Sequence, residues 1–315
     1  MPDRLRALTG KVPYDGGMET VEDLRYSPRV GLALGGGGAL GAAHVGVLQV
    51  LHERAIVPSI IVGTSAGSIA GGATALGIDP HDLERRILRW GWSTFGTWTP
   101  KPGLGLLTAD ALHQRIRNVT GGDVQIEDLP IRFAAVATDT DSREAVVVDH
   151  GSLSAAVAAS IAVPGVFRPV EIEGRQLLDG GLVQNLPIEA ALGLGAEHVI
   201  AVRVAPEWDL PGFETSFDVH EYEIRSDVTV LSPKLANRSQ WQVRDLQTMV
   251  RLGREAAEWE FSDYPVVNER PEPPQPTPEE LESSEAPTLD ITPDQPEGVE
   301  MPHERHGFGS FLHRH

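Results

Sequence analysis

The chain has 315 residues, no cysteine and a formal net charge of −19. Without cysteine there is no disulfide, thiolate metal site or cysteine nucleophile, and without clustered lysine and arginine there is no electrostatic footprint for nucleic acid or for strongly anionic headgroups. Ten acidic residues and one arginine between Glu269 and Glu300 supply roughly half of the charge, so the rest of the chain is only moderately acidic.

Residues 1–28 read as an N-terminal leader without the apolar stretch of a signal peptide. No run of about eighteen apolar residues follows, and the expected location is cytoplasmic. From Val30 onward, short apolar runs alternate with helical periodicity, the texture of parallel strands joined by helices. RVGLAL predicts a first strand, ALGAAHVGVLQVLHER a helix, SIIVG a second strand and AGSIAGGATALG a second helix. DPHDLERRILRWG begins with Asp-Pro and suits a third helix. The aromatic stretch from Trp90 to Trp98 has no steady period and predicts an irregular excursion, either completing the core or touching lipid.

IRFAAVATD and EAVVVDHG then predict two strands, SLSAAVAASIAV a buried helix ended by Pro164, RQLLDGG a strand feeding a turn, and HVIAVRVA a further strand. LANRSQWQVRDLQTMVRLGREAAEWEF predicts a last helix packed on the sheet. The Pro- and Glu-rich remainder has almost nothing to bury and predicts a disordered tail over residues 265–315. The expected organisation is therefore a leader (1–28), one α/β catalytic domain (29–264) and an acidic tail (265–315).

Four glycines, Gly35 to Gly38, stand between the first strand and first helix and leave consecutive amides bare for an anion. Gly36 to Gly41 also fit the dinucleotide pattern G-x-G-x-x-G. That reading needs an acid at the end of the second strand; the nearest one, Glu53, precedes that strand. In its place stands Gly63-Thr64-Ser65-Ala66-Gly67, the pattern of a strand-to-helix elbow that exposes a serine nucleophile. The plainer alternative is a helix-capping serine in a glycine-rich turn.

A serine nucleophile requires a base. Asp179, followed by Gly180 and Gly181, can accept the proton in a site sheltered from water, or can be an Asp-Gly turn residue. His220 is a weaker alternative that would make a histidine-dependent esterase. The carboxylates of Asp139 and Asp141 are explained equally well by a turn.

Taken in order, GGGGALG, GTSAG, SIAVPGVFRPV and DGGLVQNLP resemble the patatin-like phospholipase family over roughly Val30 to Val204. The resemblance implies a three-layer α/β/α fold with a mainly parallel central sheet, and a lipid acyl hydrolase that uses a Ser-Asp dyad without metal or cofactor. Carried over by position, it implies Ser65 as nucleophile, Asp179 as proton acceptor and Gly36, Gly37 and Gly38 as the oxyanion loop. Gly41, Gly63, Gly67, Gly180 and Gly181 are its motif glycines. The implied partner is a lipid or fatty-acyl ester, met by transient contact with a membrane surface. Leu40 departs from the family, which usually carries Arg or Lys there, and motivates a second expectation, a non-catalytic regulatory or adaptor protein on the same scaffold.

Overall fold

The computed structural model describes residues 29–88, 97–98, 107–108, 113–114, 117, 122–206, 219–236, 238–241, 245–263 and 266. The expected leader, nearly all of the expected tail and most of the aromatic excursion lie outside the described residues. The chain divides into two units, Met1–Asn268 and Glu269–His315, and every described residue belongs to the first.

Strand β1 (Val30–Leu34) leads through the glycine loop and a 3₁₀ turn (Gly38–Gly41) into α1 (Ala42–Glu53). β2 (Ile60–Thr64), α2 (Ala66–Ala75) and α3 (Pro80–Ile87) follow. Short strands β3 (Thr97–Trp98) and β4 (Leu107–Thr108) pair with each other. The chain then returns through β5 (Arg132–Asp139), β6 (Ala145–Val148), α4 (Leu153–Ser160), β7 (Val170–Ile172) and β8 (Arg175–Asp179). α5 (Ile188–Gly193), β9 (His198–Val202), α6 (Val219–Glu223), β10 (Val228–Leu231) and α7 (Leu246–Glu260) complete the described elements.

The main sheet runs β10-β9-β1-β2-β5-β8-β7, with β6 also on β5. Strands β10, β9, β1, β2 and β5 are mutually parallel, whereas β6, β7 and β8 add antiparallel pairs. Because alternate residues of a strand face opposite sides, the sheet feeds two cores. Leu32, Leu34 and Ile61 join side chains of α1 to α4 and α7 on one face, while Ala33, Ile60 and Val62 join α5 and Tyr222 of α6 on the other. This is the three-layer α/β/α arrangement with a mainly parallel sheet.

Residues 42–51 of α1 are buried throughout, as expected of a helix covered on every side. Its outer cover is α7. At Gly46 an added Cβ would run into the Val250 carbonyl, and at Gly253 one would run into the Ala43 carbonyl, so the two helices meet backbone to backbone. Arg254 donates to both oxygens of Glu53 at 2.7 and 2.6 Å across this seam, which holds the Glu53 carboxyl below its ordinary range.

Three boundaries differ from the sequence reading. α4 ends at Ser160 rather than at Pro164, because the Ala162 carbonyl is taken by the amide of Asp179. α7 starts at Leu246, its preceding residue Asp245 having φ 65°, so Leu235 and Trp241 lie outside the helix. β9 opens at His198 as expected but ends at Val202 rather than at Ala205. Strands β3, β4, β7 and β10 and helices α5 and α6 are not anticipated by the sequence reading. Among the described residues no helix is long and apolar enough to cross a membrane.

Candidate active site

Strand register brings the two candidate residues to one level. Thr64 of β2 lies opposite Val136 of β5, and the next residue of β5, Ala137, lies opposite Asp179 of β8. Ser65 and Asp179 therefore leave their strands at the same height on either side of β5. The glycine loop stands at the end of β1, where strand order reverses between β2 and β9, the place where parallel α/β sheets open to ligands.

Ser65 occupies the turn into α2 with φ 51° and ψ −120°, a strained conformation for a residue with a side chain. The turn closes because its flanking glycines let backbones touch: a Cβ at Gly67 would run into the Leu34 carbonyl and one at Gly63 into that of Gly67. Ser65 Oγ donates to Asp179 Oδ2 at 2.7 Å. Below it, the Ser65 amide donates to Ser160 Oγ at 2.8 Å, and Ser160 Oγ donates in turn to the Val136 carbonyl at 2.7 Å. Ser68 Oγ donates to the Ser65 carbonyl at 2.6 Å.

Asp179 is fully buried. Its Oδ1 accepts the Gly181 amide at 2.8 Å, and its carbonyl accepts Thr138 Oγ1 at 2.9 Å. Burial raises the Asp179 carboxyl to about 7 against the opposing pull of the Gly181 amide and the Ser65 hydroxyl. A carboxylate poised there is half ionised near neutrality, the range in which a general base works best. Gly180 packs against the Val136 carbonyl and Gly41 against Ala66, neither with room for a Cβ.

The three loop glycines do not play equal parts. The Gly36 amide donates to the Asn185 carbonyl at 3.0 Å, so it is engaged in holding the loop, contrary to its expected place among the oxyanion donors. The amides of Gly37 and Gly38 make no such bond among the described residues, which leaves them free to meet an anion. Two residues outside the motifs fix the loop. His44 Nε2 meets the Gly35 carbonyl at 2.8 Å, and burial lowers that imidazole to about 4, so the ring is neutral and its Nε2 must carry the proton. Asn185, whose carbonyl holds Gly36, donates through Nδ2 to the Ala205 and Pro206 carbonyls at 3.4 and 3.3 Å. Leu40 is buried in the core, so the position that carries a cation in the resembled family is a packing position here.

A cavity of about 130 Å³ opens beside the Ser65 hydroxyl. Val45 of α1, Ile69 of α2, Leu83 and Ile87 of α3, and Ile161 and Phe167 of the segment after α4 form its walls. The SIAVPGVF segment lines the cavity and, through Ser160, holds the elbow. The other candidates lie elsewhere. His220 pairs with Glu223 on α6 at 2.9 Å, and Asp139 caps a turn through the Asp141 and Ser142 amides.

Fold and site together define a three-layer α/β/α protein with a Gly-x-Ser-x-Gly elbow facing a buried aspartate. Residues 32–192 match the family model described as patatin-like phospholipase, and the chain belongs to that family. An uncharacterized NTE family protein of Mycobacterium tuberculosis (strain ATCC 25618 / H37Rv) is 42% identical over 183 residues, 56% of this chain and 49% of that protein. The match thus spans about half the length of that relative. The protein named lysophospholipase nte1 of Aspergillus fumigatus (strain ATCC MYA-4609 / CBS 101355 / FGSC A1100 / Af293) is 34% identical over 197 residues, 61% of this chain and 13% of that protein. The crystal structure of VipD from Legionella pneumophila has the same fold, with TM-score 0.51 and 16% identity over 76% of this chain and 68% of that one.

Proposed function

We propose that this chain is a lipid acyl hydrolase that cleaves carboxylic esters through Ser65 and Asp179. The observation that carries the reading is the 2.7 Å hydrogen bond from the Ser65 hydroxyl to a fully buried carboxylate, at the mouth of an apolar cavity. Membership of the patatin-like phospholipase family and the lysophospholipase name of the fungal relative support it.

In this mechanism the ionised Asp179 takes the Ser65 proton as Oγ bonds to the ester carbonyl carbon. The resulting oxyanion is met by the free amides of Gly37 and Gly38, aided by the positive end of α2, which starts directly after Ser65. Collapse of the intermediate breaks the bond to the alcohol oxygen, which leaves with the proton held by Asp179. A water molecule then gives a proton to Asp179 and attacks the acyl-serine, and fatty acid departs as Ser65 recovers its hydrogen. The backbone donors make no use of a side-chain cation, so Leu40 is compatible with this chemistry. The protein would act from the cytoplasm, meeting its lipid by transient contact with a membrane surface.

The test is turnover of p-nitrophenyl butyrate together with labelling by a fluorophosphonate probe. Wild-type protein is expected to do both, and Ser65→Ala neither. Turnover that survives Ser65→Ala would exclude the mechanism, and an unlabelled, inactive wild type would point instead to a non-catalytic scaffold.

A further inference from the structure

Hydrogen bonds frame the glycine loop on both sides of a gap. Before the gap, the Gly35 amide donates to the Val202 carbonyl at 3.1 Å and the Gly36 amide to that of Asn185 at 3.0 Å. Beyond it, the amides of Ala39 and Leu40 donate to the Gln240 and Gly37 carbonyls at 2.9 and 3.0 Å. The amides of Gly37 and Gly38 lie between, and the peptide planes that precede them set where they point. The plane joining Gly35 to Gly36 is gripped at both ends, its N–H by the Asn185 carbonyl and its C=O by His44 Nε2 at 2.8 Å. Among the described residues His44 is the one side chain hydrogen-bonded to the loop, and the Gly35 carbonyl has no other donor.

The ring that supplies this grip carries a penalty. His44 is completely buried, and its Nδ1 has no hydrogen-bond partner. A buried polar atom left in that state is rare and calls for a reason, because an apolar side chain of similar size would fill the space without the desolvation cost. Resting on the catalytic reading above, we propose that His44 is a positioning residue for ester hydrolysis, which fixes the Gly35–Gly36 peptide and so aims the Gly37 and Gly38 amides at the oxyanion. Such donors accelerate a reaction only when they are in place before the charge develops. The effect of His44 therefore belongs to the transition state and not to substrate binding. The ring itself transfers no proton.

In His44→Leu the unpartnered Nδ1 disappears and the buried Gly35 carbonyl loses its donor. One unpartnered buried atom thus replaces another, and the urea midpoint should stay near that of the wild type. With p-nitrophenyl butyrate, kcat should fall about ten- to a hundredfold while KM changes by less than about twofold. His44→Gln, whose side-chain amide can stand where Nε2 stands, should bring kcat back to within about threefold of the wild type. A trifluoromethyl ketone gives a third readout: Ser65 Oγ adds to its carbonyl carbon, the hydroxyl proton passes to Asp179, and the ketone oxygen becomes the anion that the loop meets. Its affinity should fall in His44→Leu by the same factor as kcat/KM. A folded His44→Leu with wild-type kcat or ketone affinity overturns the proposal, as does a Gln variant no faster than the Leu one. Loss of folding in both His44→Leu and His44→Met would also overturn it, by making the ring a support of the fold. The wild type keeps the two readings apart. If it cleaves the butyrate and labels at Ser65 while the variants match it, only the role of His44 falls; if it does neither, the catalytic reading falls and takes this one with it.

Discussion

Replacing Asp179 by asparagine should abolish ester turnover and make the protein more stable. Asparagine has the same shape: its oxygen can accept the Gly181 amide, and its NH₂ can donate to Ser65 Oγ, reversing the direction of the bond now made at 2.7 Å. What disappears is the buried charge. Moving the carboxyl from its ordinary 3.8 to about 7 corresponds to about 4 kcal/mol at 1.36 kcal/mol per pH unit. The sign follows from which state holds the proton. Below pH about 4 the carboxyl is neutral in both folded and unfolded chains, and wild type and variant differ little. Between about 4 and 7 the unfolded chain ionises first, so the wild type loses stability as pH rises; above about 7 the full difference is present. Urea denaturation of both proteins across this range should show a gap that widens with pH to at most about 4 kcal/mol in favour of the variant. A gap independent of pH, or a wild type that is the more stable at pH ~8, would refute the burial argument.

Turnover by the wild type should rise with pH and level off above about 7, because the base must be ionised; a pH–rate profile of kcat/KM checks this. Ser160→Ala leaves the Ser65 amide without its buried partner, and should lower kcat between about ten- and a hundredfold with KM little changed. Ser160→Thr, which keeps the hydroxyl, should recover most of it, and steady-state kinetics of the pair separates elbow positioning from general damage. Gly46→Ala drives a methyl into the Val250 carbonyl and should destabilise by about 1–3 kcal/mol. Gly193→Ala has nothing within 4 Å of the new methyl and should stabilise by about 0.5–1 kcal/mol, both read from urea midpoints.

The features legible in the sequence are those whose backbone demands particular residues. A strand-to-helix turn around Ser65 needs Gly63 and Gly67, and the turn after Asp179 needs Gly180, so the motif residues carry their own signal. The groups that hold the motifs were not legible. Ser160, His44 and Asn185 act on backbone atoms of Ser65, Gly35 and Gly36, and Ser160 reaches across 95 positions of chain. A serine in an alanine-rich helix and a histidine in a valine-rich one look like packing residues until the partner carbonyl or amide is in place. The same holds for the start of the last helix. Leu235 and Trp241 have helix-compatible spacing, yet the left-handed Asp245 sets its beginning. Among the glycines of the loop, the Asn185 carbonyl sets Gly36 apart from Gly37 and Gly38.

The Gln240 carbonyl accepts the amide of Ala39, at the foot of the glycine loop, with a 2.9 Å bond, and α7 then covers α1. During translation the elbow, the loop and the aspartate all emerge from the ribosome before either of these supports exists. A nascent chain that has reached only residue 200 holds every motif residue, yet the flank of its first helix is still bare. The support of the glycine loop and the cover of the first helix therefore come from a segment some sixty residues past the last motif.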